Sequence, residues 1–175
     1  MRGTVQPILD KYGVAFRIFH GYGSATSVHS AAEDSLLSDA PLKVFYLGDY
    51  DPSGLHMSMV DLPERIAKYG GEIEIVRLAL DKSDIKDRNL PSFPLSDKTG
   101  DPRQNWYQDT TKLKRCWELD ALNPVVLRDR LESAIRSEIL WPDWNRVETC
   151  GKAEMESLNT YLKAWGSLAA AVKSI

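Results

Sequence analysis

The sequence has little cysteine, no long apolar run and no excess of positive charge. Its two cysteines, Cys116 and Cys150, are too few for a disulfide framework and lack the spacing of a zinc site, so two reduced thiols are expected. No run approaches the roughly 20 apolar residues of a membrane span, and the N-terminus has no apolar signal core, which predicts a cytoplasmic protein with no membrane partner. Lys and Arg number 22 against 25 Asp and Glu, so nucleic acid would have to bind locally, through clustered cations or acid-held metal ions.

Alternating strand-like and helix-like segments predict an α/β fold. Short apolar and β-branched runs indicate strands, and apolar residues at spacings of three and four indicate the helices between them. The predicted strands cover residues 14–20, 43–48, 72–80 and 114–119, and the predicted helices follow Ser24, Gly54 and Asn123. This order favours a Rossmann-like, mainly parallel sheet of about four strands flanked by helices.

The segments outside this alternation suggest the domain organisation. Residues 81–111 show little periodicity and contain three prolines, which is typical of a functional or mobile loop. An apolar stripe from Met155 to Val172 predicts a C-terminal helix whose apolar side joins the core. Residues 1–140 are therefore predicted to form the domain, and residues 141–175 a helical appendage packed on it.

Two aspartates, Asp49 and Asp51, directly follow the second predicted strand and precede a Pro-Ser-Gly helix start. The carboxyl ends of parallel strands line the ligand crevice of an α/β sheet. Two carboxylates there repel each other unless a cation neutralises them, and Mg²⁺ accepts one or two carboxylates while keeping waters for a phosphate. The pattern predicts a Mg²⁺ site, with Mn²⁺ as a substitute. Removal of either carboxylate is then expected to leave the fold intact. An Asp-Pro turn with a helix N-cap is the alternative interpretation.

The segment YLGDYDPSG, residues 46–54, resembles the second motif of Toprim domains, most closely the version in the type IIB topoisomerase A subunit and its meiotic relatives. Residues 13–140 are also similar to a Toprim-like group of phage and mobile-element proteins, with motifs at residues 21–24, 49–54, 98–103 and 118–124. These motifs are a Gly-x-x-Ser turn, DxDPSG, a loop with Lys and Asp-x-Arg, and Glu-Leu-Asp-Ala-Leu-x-Pro. The resemblance implies Mg²⁺-dependent phosphodiester chemistry on nucleic acid, with DNA cleavage or nicking as the expected reaction.

One position departs from the Toprim pattern. Most Toprim domains carry a glutamate at the end of the first strand, as general acid/base or metal ligand, whereas this sequence has His20 or Gly21 there and its closest glutamate is Glu33. Glu118 is the candidate replacement, because a parallel fourth strand would end at the edge that holds the aspartates. Asp120 would share its face, since residues two apart in a strand point the same way. The alternative is a surface acid pair before a helix N-terminus.

Several residues are candidates for phosphate contact. They are His20, Gly21, Gly23, Ser24, Lys98 and Arg103. The glycines and the serine open a helix whose exposed N–H groups can hold a phosphate, and the histidine could also act as a general acid/base. Lysine acts on phosphate as a point charge and arginine binds it bidentately. A structural histidine, an ordinary helix cap and a solvated loop are the alternatives.

The predicted site serves three functional hypotheses. Its catalytic set is Asp49, Asp51, Glu118 and His20, and its metal set is Asp49, Asp51, Glu118 and Asp120. The first hypothesis is the DNA-cleaving enzyme. The second is a catalytically inactive module of a phage or mobile-element complex that binds metal and nucleic acid or a partner; a separate domain or subunit could supply DNA binding. The third is a haloacid-dehalogenase-like phosphatase, which needs a further acidic pair; Asp81 and Asp84 are loosely spaced for that role.

Overall fold

A computed structural model describes residues 2–19, 23–37 and 41–173, with side chains as far as residue 166. The described chain is mixed α/β, and it divides into two compact units, Met1–Ile135 and Arg136–Ile175. The helices are α1 (Arg2–Tyr12), α2 (Ala25–Ser35), α3 (Pro52–His56), α4 (Leu62–Lys68), α5 (Gln104–Thr111), α6 (Pro124–Glu138) and α7 (Trp141–Lys173). The strands are β1 (Leu42–Leu47), β2 (Ile73–Ala79), β3 (Phe93–Pro94) and β4 (Arg115–Cys116).

Strands β1 and β2 form a parallel pair, with Leu42 opposite Ile73 and Tyr46 opposite Arg77. Three consecutive helical segments connect the two strands: α3, a π-helical turn at Met57–Asp61, and α4. Parallel pairing of the second and third predicted strands across a helical connection is therefore confirmed. The π-helical turn lies just before Pro63, which has no N–H to donate to the preceding turn of the helix.

The predicted four-stranded sheet is not present in the described residues. Residues 14–19 form no strand, because no neighbouring strand supplies the hydrogen bonds that strand-prone residues need, and His20 lies outside the described residues. The fourth predicted strand is reduced to β4, which pairs antiparallel with β3. The prediction is thus right for one parallel pair and wrong for the first strand and for the direction of the last.

The core beside the parallel pair is built by α2 and the helical connection. Its buried members are Val28, Ala31, Ala32, Met57, Leu62 and Ile66, with Phe19, Tyr46, Ile73 and Ile75 packed against them. Burial of this apolar surface, at about 25 cal/mol per Å², is the main force that fixes α2 and α4 against β1 and β2. The loop at residues 48–54, which follows β1, is thereby held at the carboxyl end of the pair.

Two helices, α1 and α5, are absent from the sequence predictions. Helix α1 buries Val5, Ile8, Leu9 and Tyr12 at helical spacing, although Pro7 lies within it. Helix α5 lies inside the stretch predicted to be irregular and buries Tyr107. Both are too short for their periodicity to be distinctive in sequence.

The sequence predicts both of the last two helices, α6 and α7. Helix α6 starts at the predicted Pro124, and the Asn123 side chain accepts a hydrogen bond from the backbone N–H of Val125 at 2.8 Å. In α7 the apolar side chains of residues 155, 158, 162 and 165 are each more than half exposed. Whether residues 141–175 pack on the rest of the chain stays a prediction. Within the described residues, no helix is both long and apolar enough to cross a membrane.

Candidate metal and phosphate site

The two predicted aspartates lie in a loop, here called the aspartate turn (residues 48–54), that continues directly from β1. Gly48 extends the strand pairing, since its N–H donates to Ala79 at 2.7 Å and its carbonyl accepts from Leu80 at 2.8 Å. Asp51 then caps α3, where its Oδ1 accepts the N–H of Gly54 at 2.6 Å. The Asp51 side chain is only 4% exposed, so this carboxylate is a helix cap whatever else it binds.

Gly54 is required in the aspartate turn by a close approach of two backbone segments. A Cβ atom at this position would overlap the carbonyl oxygen of Asp49. Only glycine therefore allows the first turn of α3 to close onto the end of the strand segment. The glycine of the Pro-Ser-Gly sequence is thus a steric requirement of the turn.

Arg77, in β2, holds the aspartate turn in place through hydrogen bonds to its backbone. The sequence predictions do not include this residue. Its guanidinium donates to the carbonyl oxygens of Gly48 (2.9 Å), Asp49, Gly54 (3.1 Å) and Leu80 (2.6 Å) and to the Ser58 hydroxyl (2.8 Å). Its only sequence signal is a cation inside an otherwise apolar strand pattern. A half-buried arginine bonded to backbone carbonyls fixes the path of the chain.

The positive charge of Arg77 also interacts with the aromatic rings and carboxylates around it. The guanidinium lies 5.0 Å from the ring centroid of Tyr46 and 5.9 Å from that of Tyr50. Burial lowers the pKa of Arg77, while the charges of the tyrosines and of Asp51 and Asp49 oppose that shift. The guanidinium therefore supplies a fixed positive charge behind the two carboxylates.

Lys98 forms an ion pair with Asp51, with 2.8 Å between Nζ and Oδ2. Burial alone would lower the pKa of Lys98, but the hydrogen bond and charge of Asp51, with the charge of Asp49, raise it above the usual value. In the same loop, Asp101 accepts a hydrogen bond from the Ser53 hydroxyl at 2.7 Å. The structure therefore brings the loop at residues 98–103 onto the aspartate turn.

Arg103, the second predicted phosphate ligand of this loop, contacts Asp101 and reaches the aspartate turn through it. Its Nη1 and its backbone N–H each donate to Asp101 Oδ1 at 3.0 Å. Burial raises the pKa of Asp101, but hydrogen bonds from Ser53 and Arg103 and the arginine charge outweigh it and lower the pKa. Ser53, Asp101 and Arg103 thus form a polar chain leading away from the aspartates.

The segment that carries Glu118 also meets the aspartate turn, but not as a parallel strand. Tyr50 and Trp117 exchange two backbone hydrogen bonds of 2.9 and 3.1 Å in an antiparallel bridge, and the N–H of Leu119 donates to Asp49 Oδ1 at 2.8 Å. The expected proximity is present, although the predicted parallel direction is wrong. The shared face expected for Glu118 and Asp120 fails as well, because a 3₁₀ turn begins at Leu119.

The side chains of Glu118 and Asp120 are both exposed. In the part of the chain that the structure describes, no group of three or more His, Cys, Asp or Glu side chains is arranged to hold a metal ion. The second carboxylate oxygen of Asp49 accepts no hydrogen bond among the described residues. The geometry therefore provides two carboxylates in one turn and a third on a neighbouring segment.

The predicted phosphate-binding helix start is only partly described. His20 and Gly21 lie outside the described residues. Ser24 caps α2, accepting the N–H of Ser27 at 3.1 Å, and Gly23 is buried against the ring of Phe19. Within residues 23–37 and 41–173, no hydrogen bond joins this helix start to the aspartate turn.

The acids needed for the phosphatase hypothesis have other partners. Both carboxylate oxygens of Asp84 accept hydrogen bonds of 2.8 Å from the Arg130 guanidinium. Asp81 accepts from the hydroxyl and the backbone N–H of Ser83. This arrangement explains both acids as parts of a local turn and an ion pair, and it disfavours a second catalytic acid pair.

Comparison with protein-family models, curated proteins and solved structures finds no match for this chain.

Proposed function

We propose that this chain is a Toprim-like domain for Mg²⁺-dependent phosphodiester chemistry on nucleic acid, with DNA cleavage or nicking as its reaction. One observation carries the proposal: the segments at residues 49–54, 98–103 and 117–119 meet at the aspartate turn. These segments are far apart in sequence, and each lies in or beside a motif of the Toprim resemblance. If Asp51 served only as a helix cap, the segments at residues 98–103 and 117–119 would not need to meet at the aspartate turn.

The donor set at the turn fits a hard divalent cation. Mg²⁺ is usually held by one or two carboxylates and keeps waters for a phosphate, and Asp49 and Asp51 supply that number. A metal bound there would polarise the phosphate and lower the pKa of a bound water. Glu118 is the candidate third acid, and Lys98 and Arg103 would offset charge on the phosphate.

The proposal extends to partners and location. DNA is the expected nucleic acid, and with a net charge of −3 the chain offers it little general attraction. A separate domain or subunit is therefore expected to contribute DNA binding. A cytoplasmic location in a phage or mobile-element system is part of the same proposal.

The test is nicking of supercoiled plasmid in Mg²⁺, in Mn²⁺ and in EDTA. Asp49→Asn and Asp51→Asn should each reduce metal-dependent nicking by about 100-fold or more, because each removes a ligand charge while keeping the side-chain shape. Asp109→Asn, an exposed acid on α5, is the matched control and should nick like the unaltered protein. Nicking by both turn variants at the control rate would overturn the proposal.

A non-catalytic binding module is the second candidate, favoured by the exposure of Glu118 and Asp120. A ligand that is not held in place by its neighbours has to be ordered when metal binds, which weakens a catalytic site. Calorimetric binding of Mn²⁺, lost in Asp51→Asn, without cleavage of duplex DNA, single-stranded DNA or RNA would support this candidate. Metal-dependent cleavage of any of the three would exclude it.

A further inference from the structure

The inference concerns Lys98 and rests on the proposed metal site. Asp51 is the more buried of the two aspartates, and its Oδ1 is occupied by the N–H of Gly54. Its Oδ2 lies 2.8 Å from the Lys98 ammonium. A buried carboxylate needs a compensating charge, and here a side chain of the protein provides it.

The two cations of the site are held in different ways. Arg77 donates to backbone oxygens and a hydroxyl on several sides, so it cannot leave without breaking the turn. Lys98 is 31% exposed and is carried on a flexible stem, with its ammonium 5.2 Å from the ring centroid of Phe93. Lys98 can therefore withdraw from Asp51 towards solvent by rotating its own side chain.

We propose that Lys98 is an exchangeable counter-ion: it neutralises Asp51 in the metal-free protein, gives way when a divalent cation binds, and then serves the phosphate. The same ammonium would thus act in two states of the site. The metal has to compete with Lys98, which lowers apparent metal affinity.

The experiment measures Mn²⁺ binding by calorimetry on the full chain, without substrate. Lys98→Gln removes the charge but can still donate to Asp51, so the aspartate turn keeps a partner. Its Mn²⁺ affinity should rise about tenfold, or about 1.4 kcal/mol. Lys98→Arg should show no such rise, because it retains a competing charge. Lys82→Met, at an exposed lysine after β2, is the control for net charge and should match the unaltered protein.

A second measurement separates exchange from a purely structural role. Binding of a short duplex DNA in Ca²⁺ should weaken about tenfold in Lys98→Gln, opposite in sign to the metal effect and comparable to the loss of one charged hydrogen bond. Circular dichroism confirms that each variant is folded, and Lys98→Met, tested in the same way, provides a second neutral variant.

The outcomes separate this inference from the function on which it rests. Tighter Mn²⁺ binding together with weaker DNA binding supports exchange by Lys98. Equal or weaker Mn²⁺ binding in both neutral variants overturns it while leaving the metal site intact. If neither the unaltered protein nor the variants bind Mn²⁺, the proposed metal site fails and the exchange fails with it.

Discussion

The two acidic segments of the site are built in opposite ways. In the aspartate turn, Asp51 is buried, caps a helix and is paired with a lysine, and Arg77 holds the surrounding carbonyls. On the neighbouring segment, Glu118 is exposed and is positioned through backbone hydrogen bonds of its own carbonyl and of its neighbours Trp117 and Leu119. The first segment fixes the side chain of its carboxylate, whereas the second brings an acid close without fixing its side chain.

This contrast changes what a loss of function would mean in each segment. A variant in the aspartate turn alters the cap, the ion pair and the strand connection together, so its activity has to be interpreted beside its stability. Removal of Asp51 would also leave Lys98 without its ion-pair partner. Loss of Asp51 is therefore expected to destabilise the fold, contrary to the expectation from sequence that either aspartate can be removed without such an effect. A variant at Glu118 can be interpreted through activity or metal binding alone.

The largest expected effect is that of Arg77→Met. The substitution keeps roughly the length of the side chain but leaves the carbonyls of Asp49 and Leu80 without the guanidinium donor. It also removes one of the donors to the carbonyls of Gly48 and Gly54. The free energy of unfolding should fall by about 3 kcal/mol or more, since each unsatisfied buried group costs about 1–3 kcal/mol. Urea unfolding measures it.

The control for Arg77→Met is Arg88→Met, at an exposed arginine, which should change stability by less than about 0.5 kcal/mol. Arg77→Lys should recover only part of the loss, because one ammonium cannot reach carbonyls on several sides. Equal stability of the two methionine variants would mean that the aspartate turn does not depend on Arg77. The contrast between a fixed aspartate turn and a less fixed Glu118 segment would then be wrong.

The sequence predicts the aspartate turn well because its requirements are local. A strand, an Asp cap, a proline and a glycine follow one another, and the structure uses each at its predicted place. Arg77 is not predictable in the same way, because most of its partners lie in residues 48–58 and become its neighbours only when β1 and β2 pair in register. Local patterns specify elements, and the register between strands decides which side chains meet.

The direction of the last strand illustrates a second limit of sequence patterns. Apolar residues in the segment at residues 114–119 indicate extended chain but carry no sign for parallel or antiparallel pairing. The bridge between Tyr50 and Trp117 is antiparallel, yet it still brings Glu118 beside the aspartate turn. A correct neighbourhood was therefore predicted with an incorrect topology.

Gly54→Ala should have the next largest effect. The added methyl group overlaps the backbone oxygen of Asp49, which cannot move aside as a flexible side chain would. Destabilisation of about 1–3 kcal/mol is expected from such overpacking, measured by thermal and urea unfolding. Gly3→Ala, in α1 with open space around its Cβ position, is the control and should be neutral or slightly stabilising. Equal stability of both variants would show that the turn can relax.

A smaller effect is expected at Asp101, which links the loop to the aspartate turn through Ser53. Its pKa is lowered in the folded chain, so its ionised form contributes stability above the unfolded value of about 3.9. That contribution is lost as the pH falls through the lower, folded pKa. Asp101→Asn should therefore reduce the free energy of unfolding at pH 7 and flatten its decline towards pH 3. An unchanged profile in Asp101→Asn would remove this link.

Glu118→Gln should have the smallest effect on stability and the most specific effect on the site. The side chain is exposed, and its neighbours are held by backbone bonds that glutamine leaves in place, so unfolding should change by less than about 0.5 kcal/mol. If Glu118 completes the metal site, Mn²⁺ affinity should nevertheless fall by about tenfold or more. Asp120→Asn tests the neighbouring exposed acid in the same assay. Destabilisation comparable to that of Gly54→Ala would mean that the two acidic segments are equally fixed, whereas unchanged stability with unchanged Mn²⁺ affinity would remove Glu118 from the proposed metal site.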